Sequence, residues 1–157
     1  MKTIYIFTGP VKSGKSTRLF DWVDKQPNAA GILSLIIDGK KHLYSISDKK
    51  KLCLESSKNT AIKVGRYMFD PDVFYWAQKQ LTEELNRAKD LLIIDEIGYL
   101  ELRGEGLEPT LSKIIKKSEK ANNIKLLLVV RESLVNQVIE HYRFDNIKII
   151  NNIKELD

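Results

Sequence analysis

The sequence predicts an α/β fold, a mostly parallel sheet with helices on both faces. Three observations predict it. Short β-rich runs alternate with helical patterns along the whole chain. Two of the runs, residues 91–94 (LLII) and 124–130 (IKLLLVV), are almost continuously apolar, as strands covered on both faces must be. The helical patterns also fall where parallel strands need crossover connections.

Taken in order, residues 3–8 (TIYIFT) read as a first strand ending at Gly9. Leu19, Trp22 and Val23 then repeat at helical spacing, and Gln26-Pro27-Asn28 closes that helix. Residues 31–54 read as an inserted antiparallel meander. Asp38-Gly39 is a hairpin signal between two β-like runs, and residues 48–51 form a second turn. Residues 56–60 are a polar loop, and residues 62–64 a brief strand. Asp70-Pro71 opens a helix, with Asp as cap and Pro in the first turn. Phe74, Ala77, Leu81, Leu85 and Ala88 mark its buried face. The strand at 91–94 is followed by a loop carrying Gly98, Gly104 and Gly106. Leu111, Ile114 and Ile115 mark a third helix. The strand at 124–130 leads to a fourth helix on Leu134, Val135, Val138 and Ile139, and residues 147–150 form the last strand. No repeat, low-complexity tract or linker interrupts the 157 residues, which suit one domain spanning 1–157.

Residues 9–16, GPVKSGKS, satisfy G-x-x-x-x-G-K-[ST] between a strand and a helix, the context a phosphate-binding loop requires. Gly9 and Gly14 permit backbone angles closed to other residues. The segment Gly9, Pro10, Val11, Lys12, Ser13 and Gly14 can then turn its amides around a phosphate. The helix start adds free N–H groups and a positive end. Lys15 places a cation against the β- and γ-phosphates, Ser16 offers a hydroxyl to Mg²⁺, and Thr17 can donate to the α-phosphate. Lys12 contributes general electrostatic help.

The second acidic site follows the strand at 91–94. Asp95 at its carboxyl end is placed to hold Mg²⁺-bound water beside Ser16. Glu96, one residue on, can orient the attacking water and take its proton, or it is an exposed acid at a strand end; beside a phosphate loop the first reading is favoured. Arg131, directly after the strand at 124–130, projects at the same edge. It either stabilises charge on the transferring phosphoryl group or caps a helix. Glu101 has two readings of equal weight, contact with Mg²⁺-bound water or a surface salt bridge. Arg18 and Arg103 are weaker candidates for the role of Arg131.

GPVKSGKST at residues 9–17 and DEIGYLEL at residues 95–102, with AGILS at 30–34 and VGRY at 64–67 in the same order, resemble the small P-loop nucleoside-triphosphatases of the thermophilic and cancer-related group. The likeness runs from Met1 to about Val130, and its most discriminating part is D-E-I-G-x-x-E-L. It implies a RecA-like sheet in which another strand separates the Asp95 strand from the first. It also implies slow hydrolysis of ATP, GTP and other triphosphates to diphosphate and phosphate, with broad base tolerance. The ending NIKIINNIKELD departs from the asparagine–arginine signature usual in the group, which leaves base recognition open. Leu100 and the R-G-E-G loop at 103–106 resemble a bacterial sub-branch.

Composition is ordinary for a soluble globular protein: 43% apolar, 30% charged, 26 Lys+Arg against 21 Asp+Glu, a formal charge of +5. That surplus favours anionic ligands and does not by itself argue for nucleic acid. One cysteine, Cys53, precludes an internal disulfide and reads as a small buried or half-buried residue. With His42 and His141 far apart, no zinc site forms. No apolar stretch approaches a membrane span, so the expected location is the cytoplasm. Two other readings stay open. A small nucleotide or nucleoside kinase shares loop and size, although no arginine-dense lid segment stands out after Gly106. A nucleotide-dependent binding module would dock a protein partner through the meander, whose turns carry Lys40, Lys41, His42 and residues 49–51. A nucleic-acid motor is disfavoured, because no aromatic-basic stacking platform is evident. Trp22 and Trp76 read as core or half-buried.

Overall fold

A computed structural model describes residues 3–10, 14–87, 90–120 and 124–156. Its main sheet has seven strands in the order β4-β3-β2-β7-β8-β1-β9. Five of them, β2 (Ala29–Ile37), β7 (Leu91–Ile97), β8 (Lys125–Val130), β1 (Ile4–Phe7) and β9 (Ile147–Ile150), run parallel. The meander strands β3 (Lys40–Ser45) and β4 (Lys50–Cys53) extend the β2 edge antiparallel. Asp38 and Gly39, with φ of 51° and 77°, make the tight turn that joins β2 to β3.

Alternation along the central strands sorts the core into two layers. Leu92, Ile94, Leu126 and Leu128 face one side, where they meet Leu81 of α2 (Pro71–Asn86), Leu111 and Ile114 of α4 (Thr110–Lys120), and Val138 of α5 (Val135–Tyr142). Ile93, Leu127 and Val129 face the other, against Leu19 and Val23 of α1 (Lys15–Val23) and Ile153 and Leu156 of a C-terminal 3₁₀ turn. These strands are buried on both faces, so their sequences show no polar alternation.

At α2 the expected cap forms: the Asp70 carboxylate accepts from the Asp72 N–H at 2.9 Å, and Pro71 opens the helix. Ala88, read as part of its buried face, lies outside the described residues. Gly31 sits where β2 and β7 pass closest. With φ of 128° it leaves no room for a side chain, since a Cβ would land on the backbone carbonyl of Ile93.

Three elements differ from the sequence reading. β7 continues past Ile94, because Asp95 pairs with Val129 and Ile97 with Val130; a one-residue bulge between them holds Glu96. Residues 67–69, given no element in the sequence reading, form β6 (Tyr67–Phe69), which pairs with β5 (Ile62–Val64) in a hairpin, and residues read as loop form the short helix α3 (Tyr99–Leu102). Both are too short for periodicity to show. Cys53 is exposed rather than buried, because β4 is the sheet's edge strand. Trp22 and Trp76 are half-buried, as read.

Candidate functional site

β1 delivers the chain to Gly9 and Pro10 at the carboxyl edge of the sheet; Val11, Lys12 and Ser13, assigned to the phosphate loop, lie outside the described residues. Gly14 takes a left-handed conformation, φ 76°, directly before α1, and no side chain caps that helix end. The first helical bond runs from the Arg18 N–H to the Gly14 carbonyl at 3.0 Å. A helix end of this kind attracts anions. Lys15 and Ser16 are half-buried in the first turn and Thr17 is exposed.

The topology brings Asp95 to Ser16. β8 lies between β1 and β7, the extra strand that the resemblance implies. The Ser16 hydroxyl donates to Asp95 Oδ2 at 3.0 Å, and the Ser34 N–H donates to the same oxygen at 3.2 Å. The other oxygen, Oδ1, is buried with no hydrogen-bond partner among the described residues. Burial pushes the carboxyl up to about 7, and the negative Glu96 adds to the rise. The Ser34 and Ser16 bonds and the Lys15 charge oppose it. An orphaned carboxylate oxygen beside a serine hydroxyl suits a hard cation that keeps most of its waters and takes substrate phosphates as further ligands. Among the described residues no group of three or more His, Cys, Asp or Glu forms an all-protein cage.

Glu96, in the bulge, is half-buried and 4.0 Å from the Lys41 ammonium. Both line a cleft of about 230 Å³ at the carboxyl ends of the strands, and Ser34, Asp95 and Arg131 line it too. Arg131 therefore reaches the same edge as Asp95. It is half-buried and precedes the 3₁₀ turn Glu132–Leu134. Of the weaker candidates, Arg103 is exposed and paired with Glu105 at 3.1 Å, and Arg18 is exposed.

Glu101 does not form a surface salt bridge. It is 3% exposed and has no ion-pair partner among the described residues. Its Oε1 accepts from the Gly98 N–H at 2.9 Å and its Oε2 from the Leu107 N–H at 3.0 Å. The carboxylate staples the loop after β7, and burial pushes it up to about 7. Gly106 is needed beside it, because a Cβ there would collide with Oε2.

Two polar groups at the site were not read from the sequence. Lys41 was placed among hairpin-turn lysines, yet it shares the cleft with Leu43, the period-2 partner that places it on that face of β3. The Ser34 amide carries no side-chain signal; only the AGILS segment pointed near it.

A family model described as NTPase matches residues 4–155. Two solved structures share the fold. The crystal structure of THEP1 from the hyperthermophile Aquifex aeolicus has 23% identity and a TM-score of 0.68, covering 96% of this chain and 89% of that one. The solution structure of a human cancer-related nucleoside triphosphatase has 18% identity and a TM-score of 0.64, covering 99% of this chain and 90% of that one. No protein of curated function matches the chain.

Proposed function

The chain belongs to the NTPase family, and from that premise we propose that it is a Mg²⁺-dependent hydrolase cleaving ATP, GTP and other nucleoside triphosphates to diphosphate and phosphate. The observation that carries the reading is the junction of Ser16 and Asp95, with a carboxylate oxygen that has no partner among the described residues, at the carboxyl edge of the sheet.

In this reading the segment Gly9–Gly14 wraps the β-phosphate with its amides, and Thr17 reaches the α-phosphate. Lys15 lies against the β- and γ-phosphates. Ser16 and Asp95 hold Mg²⁺, which when bound neutralises charge on the phosphate oxygens. Glu96 orients a water in line with the γ-phosphorus and takes its proton as the new bond forms. Glu96 sits in the bulge between Asp95 and Ile97 and lines the cleft. Lys41 sits close enough to hold the Glu96 carboxylate in place, and Arg131 meets charge building on the phosphoryl oxygens.

Phosphate release from a panel of nucleoside triphosphates, with and without Mg²⁺, tests the reading. Release from several bases that stops in excess chelator is the expected result. Release that is equal with and without the ion would exclude the metal role of Ser16 and Asp95.

A further inference from the structure

The cleft beside Glu96 is larger and more apolar than hydrolysis requires. One attacking water needs roughly 10–15 Å³ of such space, against about 230 Å³ available for it and the incoming γ-phosphate. Its walls include the buried side chains of Leu43, Leu54, Phe69, Phe74 and Leu107. An apolar recess with a few convergent polar groups is the usual form of a small-molecule site. Water gains nothing from such walls.

The β5–β6 hairpin supplies much of the rest. All four residues of the V-G-R-Y segment, Val64, Gly65, Arg66 and Tyr67, line the cleft, and the triphosphate chemistry uses none of them. The rings of Tyr67 and Phe69 stack nearly parallel, 16° apart with centres separated by 5.5 Å, and add an aromatic pair to the apolar lining. The Lys41 ammonium is 5.0 Å from the Tyr67 ring centre, 5.9 Å from that of Phe69 and 4.0 Å from Glu96 Oε1, so it links the aromatic pair to the carboxylate. Tyr99, 51% exposed, stands at the rim.

We propose that this cleft is a phosphoryl-acceptor site for a small aromatic alcohol, whose ring packs into the apolar recess beside the Tyr67–Phe69 pair and whose hydroxyl takes the place of water at Glu96. The proposal rests on the same reading of Glu96 and the phosphate loop as hydrolysis does. In the step, the alcohol oxygen forms a bond to the γ-phosphorus, and the bond from that phosphorus to the bridging oxygen breaks. The nucleoside diphosphate leaves with the electron pair, and the hydroxyl proton passes to Glu96. The products are a phosphate monoester and a nucleoside diphosphate, with no change in oxidation state. Water attacks when the cleft holds no alcohol, so hydrolysis and transfer are alternative outcomes at one centre.

The test supplies ATP labelled at the γ-phosphate, Mg²⁺, and in turn adenosine, guanosine, uridine, benzyl alcohol and 4-hydroxyphenethyl alcohol. Labelled ester and free phosphate are resolved in each case. The expected result is ester from at least one probe, at the expense of free phosphate. V64W, which fills the cleft, should collapse the ratio of ester to phosphate. Y99A, at an exposed position, should raise the KM for the same probe about three- to tenfold, the weight of one aromatic contact. Free phosphate with no ester from any probe overturns the acceptor site and leaves hydrolysis standing. Ester formed equally well by both variants overturns its placement in this cleft. Neither product from any mixture overturns the hydrolase reading and the proposal with it.

Discussion

At the scale of single residues, Arg131 and Glu101 make separable claims. Arg131 faces the cleft from the end of β8. If it meets charge that develops only during the reaction, truncation slows the chemistry and spares binding. Arg131→Ala should lower kcat by about 10²-fold while the ATP Kd stays within about twofold; steady-state kinetics beside calorimetry separates the two. Unchanged turnover would make Arg131 a structural residue. Glu101 makes a claim about stability. Its folded-state carboxyl titrates near 7 because burial disfavours the charge. Between its ordinary value near 4.5 and 7 the folded chain therefore binds the proton that the unfolded chain releases. That contribution is complete below about pH 4.5 and is lost as pH rises through 7. Gln at 101 keeps one acceptor and cannot ionise. The advantage of wild type over Glu101→Gln should shrink between pH 5 and pH 8 by up to about 3 kcal/mol, read from denaturant midpoints at each pH. A difference that does not vary with pH would mean that Glu101 does not change ionisation on folding.

At the scale of elements, the sequence was most informative where one local signal decides the structure. Asp70-Pro71 announced α2, Asp38-Gly39 the first hairpin, and the apolar runs β7 and β8. Gly9–Ser16 and Asp95 were assigned to the site because the chemistry of a phosphate loop requires those residue types in that order, and the structure brings Ser16 and Asp95 together. What stayed hidden depends on distant contacts. β6 pairs with β5, three residues each, and is bridged to Glu55 through Phe69, and α3 is a single turn held by the Glu101 staple. The bulge at Glu96 exists because β8 supplies no residue opposite it, and no pattern within β7 records that. Lys41 reaches the site only because β3 packs beside β2, which lies beside β7. Gly31 is the position where that strand order can be tested. Its φ and the contact with the Ile93 carbonyl involve backbone on both sides, so neither strand can yield. Gly31→Ala should cost about 3 kcal/mol or more, measured by urea denaturation. A loss under about 1 kcal/mol would show that β2 and β7 are not so close.

At the scale of the whole molecule, the account concerns one sheet edge that gathers Ser16, Asp95, Glu96, Lys41 and Arg131. The formal charge of +5 favours a polyanionic substrate at that edge. Among the described residues no helix is long and apolar enough to cross a membrane. A ligand that binds only the folded chain stabilises it by mass action. ATP with Mg²⁺ at about 100 times its Kd should raise the Tm by about 5–10 °C, and Lys15→Ala should lose that rise. An equal rise in the variant would place the triphosphate somewhere other than the loop. The central claim, that the triphosphate is gripped by one set of groups and cleaved with the help of another, is tested most directly by Glu96→Gln. Calorimetric ATP affinity and single-turnover phosphate release should be measured on the same preparation. Affinity within a fewfold of wild type, with turnover lower by about 10²–10⁴-fold, is the predicted result. Release at the wild-type rate would contradict it.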